Sequence, residues 1–355
     1  MVLNVPYNWN KDLLVKLEPY KEHISELYAG VPSSIVGNLR HPRQVPDMDF
    51  SRARSHIEAV HALGVDFNFI ANSLCMGNQE YTRKPELHDY FSRIVDAGAD
   101  RVVVGNPFVV EFVKKHFPDL KIKLSLSALV DSTYKMSHYY DKVEIISVPD
   151  ILNRDIVTLK EIIAKANDVE LLLNNMCLYD CPLITYHGAF ASHNSQSGAT
   201  MTRHNFPMAW CTRQKLDNPV ELLRSPWIRP EDIARYEALG VDRFKIAGRE
   251  YSTEWIEQRV RIYTQRSHEG NSLDFLNVLL YGARGGALPE GLDIVIDNRS
   301  LDGFIDHFMD GQCKGSCDNC GYCEEYWAEA GSIHGDLAAY RRMVDRSIDE
   351  MLEVA

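Results

Sequence analysis

Apolar and polar positions along the chain fall into a recurring phrase. A helical stretch ends in Gly-Val-Asp or Gly-Ala-Asp, and a short apolar, largely β-branched run follows. "HALGVDFNFIAN" (61–72), "DAGADRVVVGN" (96–106) and "EALGVDRFKIAG" (237–248) are three copies. Each reads as a helix C-terminus capped by glycine, a tight turn, and a strand buried on both faces. "KIKLSLSAL" (121–129), "KVEIISV" (142–148), "VELLLNN" (169–175) and "LDIVIDN" (292–298) are similar strands without the glycine prelude, and "SELYAGV" (25–31) is the first of the series. Helical patterns cover 50–63, 86–97 and 154–166.

Eight strands alternating with helices predict βαβ units and a parallel sheet. An open doubly wound sheet usually carries a glycine-rich phosphate loop after its first strand, and "YAGVPSSIVGN" contains no GxGxxG. The expected fold is therefore α/β: a (β/α)8 TIM-like barrel over residues 1–300, with a long insertion at 181–230. Residues 301–355 read as a small C-terminal cysteine-rich module, a metal-binding tail closed by a helix from 334 to 352.

On such a barrel the chemistry belongs to the loops at the C-terminal ends of the strands. Asn72 and Cys75 follow the second expected strand, Asn106 the third, and Ser125 and Ser127 lie within the fourth. Asn174, Asn175, Cys177 and Cys181 follow the sixth, and Lys245, Arg249 and Glu250 follow the seventh. Asn72, Asn106, Asn174 and Asn175 are the cofactor-binding candidates, although asparagine also ends strands because it suits turns.

Composition narrows the class. Of 355 residues 45% are apolar and 25% charged, the balance of a soluble globular protein. No apolar run approaches the ~18 residues of a membrane span. "MVLNVPYNWN" lacks the basic and apolar regions of a secretory signal, so a cytoplasmic protein is expected. A net charge of −12, from 50 acidic and 38 basic residues, argues against nucleic acid, whose binding rests on Lys and Arg neutralising phosphates. The charge suits a small-molecule substrate.

Eight cysteines carry the chemistry. A cytosolic chain of this size needs no disulfide staples, so clustered thiols point to metal or catalysis. Cys177 and Cys181 are separated by three residues and Cys211 follows thirty later. Three thiolates are one short of the four that a 4Fe–4S cluster or a structural zinc takes. Cys75 is one candidate for the fourth ligand, and His187, His193 and His204 are others. Cys313, Cys317, Cys320 and Cys323 lie within eleven residues. Consecutive spacings of three, two and two fold a chain around a cubane as in bacterial ferredoxins, with zinc the alternative at this site. One or two 4Fe–4S clusters are thus the expected cofactors. No GxSxG elbow, HExxH helix or Walker loop is present.

"DRFKIAGRE" (242–250) resembles the Lys-Ile-x-Gly-Arg strand end of the collagenase-like, U-thirty-two peptidase family, and "LLLNNMCLYDCP" with Cys211 resembles that family's cluster-binding cysteines. "NSLCMGNQEY" is similar to a variant in which a cysteine near the mouth adds a ligand. The resemblance covers roughly residues 25–300 and implies a barrel with a 4Fe–4S cluster at its mouth. It implies Cys177, Cys181 and Cys211 as ligands with Cys75 as the fourth, and Lys245 and Arg249 as cations suited to a carboxylate. Together with Glu250 these two are the catalytic candidates. The family, despite its title, includes proteins that hydroxylate RNA or ubiquinone precursors without oxygen, taking the hydroxyl from prephenate. The reading that follows is an iron–sulfur enzyme acting on a small organic substrate, served by an electron-donor protein or a paired subunit. A peptidase and a non-catalytic cluster-bearing subunit or maturation factor are the alternatives. The four-cysteine tail departs from the better-known members.

Overall fold

In the computed structural model, which describes residues 1–283 and 287–354, eight parallel strands close into a barrel. They are β1 (Val2–Pro6), β2 (Ile24–Ala29), β3 (Asp66–Ala71), β4 (Arg101–Val104), β5 (Lys121–Leu124), β6 (Ile145–Ser147), β7 (Val169–Leu172) and β8 (Arg243–Lys245). Closure comes from β1, which pairs with β2 on one side and with β8 on the other. Helices such as Phe50–Ala62, Lys84–Asp96, Pro107–His116 and Ile156–Ile163 cross over between strands, and Thr253–Gln265 follows the last one. The helix-stop reading is borne out: Gly64, Gly98 and Gly240, which open the three repeated phrases, have φ of 83°, 87° and 100°. Only glycine enters that left-handed region without a steric penalty. No helix among the described residues is long and apolar enough to cross a membrane.

Two strand expectations are corrected. The first barrel strand is Val2–Pro6, so every later strand moves up by one and the series is complete at Arg243–Lys245. Leu292–Ile296 (β9), expected as the eighth barrel strand, instead pairs antiparallel with Gly331–Gly335 (β10). Its burial explains why: Leu292, Ile294 and Ile296 are buried while Asp293 is exposed, which is the alternation of a one-faced strand rather than of one covered on both sides. The closing helix begins at Leu337, because residues 331–335 ahead of it are this strand. Ala355, the last residue of the expected tail, lies outside the described residues.

The 181–230 segment, which reads as irregular in sequence, holds the helices Ile184–Asn194, Phe206–Asp217 and Glu221–Arg224. Asn205 starts the second by accepting from the Met208 N–H, with proline following in the first turn, a standard helix start.

The barrel bore is polar. Lys123 on β5 pairs with Glu26 on β2 and with Glu170 on β7, the latter at 2.5 Å. Asn4 on β1 donates to Glu170 at 2.9 Å and Ser147 on β6 donates to it at 2.6 Å. The Lys123 and Asn4 contacts join strands that are not neighbours, so they cross the bore. Barrel interiors are normally filled by branched aliphatic side chains. Here the aliphatic filling is reduced to a small cluster of Tyr28, Ile70 and Val103, separate from the main core.

Candidate active site and cysteine groups

Lys245 ends β8 and points into the mouth above that cluster, with its ammonium 4.2 Å from the centre of the Tyr28 ring. Tyr28 is held by donating to the Ile246 carbonyl at 2.8 Å. Burial pulls the Lys245 ammonium down to about 8, against the nearby Glu170 and with help from Lys123. Arg249 is equally buried and donates to the Asn38 side-chain oxygen at 2.5 Å. Burial, and then Arg40 beside it, pulls its guanidinium below its ordinary value. Among the described residues no carboxylate lies within ion-pair distance of either cation. Glu250 faces Arg40, accepting from its Nε at 3.0 Å.

Across the mouth, Asn72 donates to Ser125 at 3.2 Å, and Ser127 donates to Ser125 at 3.0 Å and to the Asn72 carbonyl at 3.2 Å. Gly105 lets these loops meet, because a Cβ there would lie 2.7 Å from the Asn72 carbonyl oxygen and closer still to Ser127. A backbone carbonyl cannot swing away as a side-chain end can. Gly105→Ala is therefore expected to cost about 1–3 kcal/mol, read as a lowered urea midpoint at unchanged slope.

The other asparagines make local bonds. Asn106 caps the Pro107–His116 helix by accepting from the Phe108 N–H at 2.8 Å. Asn174 ties β7 to β8 by accepting from the Ala247 N–H and donating to its carbonyl. Asn175 donates to the Cys177 sulfur at 3.5 Å and accepts from Asn277.

Cys177, Cys181 and Cys211 act electrostatically on one another, so the structure groups them. Burial pushes the Cys177 thiol well up, with Asp150 adding to the shift and Lys215 opposing it. Cys181 is raised as well, first by burial, while the Leu183 N–H opposes. Asp150 is half-buried, and its loss of water holds the carboxyl up at about 6 against the pull of its own N–H and that of Ile151. Lys215, also buried, donates to the Met176 and Leu279 carbonyls. The Cys75 sulfur accepts from the Gly77 N–H at 3.4 Å, and Gln196, just beyond the Ile184–Asn194 helix, donates to the Cys75 carbonyl.

The four tail cysteines line one cavity of about 260 Å³, together with His307, Phe308 and Tyr322. The barrel closes it from below. Arg224 is among its lining residues, and Arg154 sits over the Phe308 ring at 4.4 Å. Burial pushes the Cys323 thiol up to about 12 against the pull of these two guanidiniums. Among the described residues, no three His, Cys, Asp or Glu side chains converge on a point as ligands of a single ion.

Sequence reasoning passed over Tyr28, Lys123, Asp150, Glu170, Tyr179 and Lys215. Lys123 and Glu170 did leave a signal, since each is a charge flanked on both sides by apolar residues of its strand ("KIKL", "VELL").

The model of Peptidase family U32 matches residues 18–176. A protein of Methanocaldococcus jannaschii described as an uncharacterized protease is 29% identical over 313 residues, which span 86% of this chain and 88% of that protein. Among solved structures, the U32 peptidase Mk0906 aligns with a TM-score of 0.48 at 19% identity, over 64% of this chain and 86% of its own. Dihydrodipicolinate synthase from Bacillus clausii aligns with a TM-score of 0.37 at 6% identity, over 74% of each.

Proposed function

Because the model of Peptidase family U32 matches residues 18–176, we propose that this chain is an iron–sulfur enzyme of that family. Its reaction is oxygen-independent redox or hydroxylation chemistry on a small carboxylated substrate at the barrel mouth. The observation that carries this reading is that the thiols of Cys177 and Cys181, which act on one another, follow β7, while two buried cations stand at and just beyond the end of the adjoining β8 with no carboxylate at ion-pair distance among the described residues.

The donor sets suit clusters. A zinc ion draws its sulfurs to about 2.3 Å from one point, whereas a four-iron cluster takes four cysteines at its corners. Thiols arranged around a cavity, as in the tail, favour the second. Cys313, Cys317, Cys320 and Cys323 would hold one cluster, and Cys177, Cys181 and Cys211 the other, with Cys75 the proposed fourth ligand. Asn175 presents an N–H to the Cys177 sulfur, the bond that tunes a bound thiolate. A bound cluster would supply one-electron chemistry.

The chain's own part is to hold the substrate. Lys245 and Arg249 bind its carboxylate, the ring of Tyr28 floors the Lys245 end, and Glu250 fixes Arg40 beside Arg249. A charge-assisted hydrogen bond contributes about 1.5–3 kcal/mol. Calorimetric titration of the anaerobically reconstituted chain with prephenate should therefore show Lys245→Met weakening binding about 10- to 100-fold. In the wild type the affinity should fall as pH rises through about 8, where Lys245 loses its proton. Equal binding by both proteins at all pH values would overturn the assignment.

Lys245 has a matching stability signature. Its ordinary value is 10.5 and its folded value about 8. Between these, the unfolded chain holds a proton that the folded chain has released, so stability rises with pH across that window. Thermal unfolding from pH 7.5 to 10 should show a flatter rise in Lys245→Met than in the wild type.

The description of the Methanocaldococcus jannaschii relative as a protease motivates a second reading, peptide hydrolysis. Proteolysis of casein that persists after all eight cysteines are changed to serine would favour it.

A further inference from the structure

We propose that the Cys177–Cys181 and Cys313–Cys317 loops form one electron-transfer unit in which Tyr179 is the bridging side chain. This rests on the iron–sulfur reading above and adds the route between the two thiol groups. Tyr179 stands in the middle of the first loop and Gly315 in the middle of the second. A Cβ at Gly315 would lie 3.6 Å from the Tyr179 hydroxyl oxygen and 3.8 Å from its ring. The far end of the Tyr179 side chain therefore reaches the Gly315 backbone, and the length of that side chain spans the space between the two loops. Gly315 has φ +69°, a left-handed conformation that a larger residue enters at a cost, and this brings the tail backbone up to the tyrosine.

Tyr179, Asp180, Gly315 and Cys317 also share a cavity of about 410 Å³, so a tail thiol and the mouth loop open onto one space. Arg224 lines this cavity and the neighbouring four-thiol cavity. Its ion pairs with Glu221 of the barrel and Glu324 of the tail hold the two parts in place. Lys314 adds a second cation on the same wall. The pair offsets negative charge at the tail thiolates, which eases acceptance of an electron from outside.

The step is simple to balance. One electron leaves the tail site, which is oxidised by one, and enters the Cys177–Cys181–Cys211 site, which is reduced by one. No bond forms or breaks and no proton moves. A one-electron donor protein restores the tail site. The module then supplies reducing equivalents to the mouth and keeps the donor away from the substrate.

The test uses the full chain, reconstituted anaerobically, with iron and sulfide counted on the same sample that gives the spectra. With about eight irons bound, four for each cluster, electron paramagnetic resonance of the dithionite-reduced protein should show the two centres broadening each other. Tyr179→Phe keeps the ring and should keep that interaction. Tyr179→Ala should lose part of it and slow the electron's passage from tail to mouth in rapid-freeze experiments, at unchanged iron content. A fully loaded wild type whose spectrum is the plain sum of two independent centres, or a Tyr179→Ala protein with unchanged transfer, would overturn the bridge while leaving the clusters standing. Four irons or fewer would instead remove the two-cluster reading on which the bridge depends.

Discussion

Replacing Lys123 with methionine should destabilise the protein by about 3–5 kcal/mol, the cost of removing one partner from a buried ion pair. The ammonium is fully buried between Glu26 and Glu170, and both acids are themselves buried. Arg101 and Arg243 approach Glu26 at 3.7 and 3.8 Å, so Glu26 retains weaker support from the far end of the bore. Glu170 depends more on the lysine. Burial opposes its ionisation, but Lys123 and then Lys245 outweigh burial and hold its carboxyl down at about 2.

The pH dependence follows from that direction. A carboxyl depressed in the folded state contributes stability that is complete above its unfolded value, near 4.3. That contribution is lost as pH falls toward about 2. Without Lys123, burial is no longer overcome, and acid unfolding should begin at higher pH. Urea unfolding at pH 7 and an acid titration followed by circular dichroism measure both effects. The double variant Lys123→Met, Glu170→Gln should recover part of the loss, since the stranded charge is then gone. A single-variant cost below 1 kcal/mol would mean that the bore charges do not hold the barrel together.

Changing Cys177 and Cys211 to serine should remove about half of the bound iron, and changing Cys320 and Cys323 should remove the other half. The two losses should be independent in amount, because each set ligates its own cluster. They should differ in their effect on folding. Cys177 lies in the loop that follows β7 and Cys211 in the Phe206–Asp217 helix, both carried by elements packed on the barrel core. The tail cysteines surround the short helix Cys317–Cys320 and lead through Tyr322–Ala330 into β10. Metal binding there is also folding free energy, so the tail variants should lose amide-exchange protection in β10 and its partner β9. Loss of all iron from either double variant would show one shared site instead of two.

The barrel was legible because its signal is local and repeated. A glycine-capped helix followed by a β-branched run needs no knowledge of distant residues, and three copies of it set the fold class. β1 was not legible for the same reason. "VLNVP" is five residues long, carries an asparagine and ends in proline, and becomes a strand because β2 and β8 need a partner to close the barrel. "LDIVIDN" misled in the opposite sense. Its composition suits a barrel strand, but its partner is residues 331–335, which no local pattern announces. At the site, Lys245 and Arg249 were found from their motif, and the structure adds what the motif lacks, burial with no carboxylate at ion-pair distance among the described residues. The contact of Tyr179 with Gly315 joins segments far apart in sequence and has no sequence signature at all.

Iron, acid-labile sulfide and zinc per chain, measured after anaerobic purification and reconstitution of the full-length protein, test the central claim most directly. About eight irons with matching sulfide and little zinc, four for each cysteine group, is the expected result. Fewer than about three irons per chain, less than a single four-iron cluster requires, would contradict it.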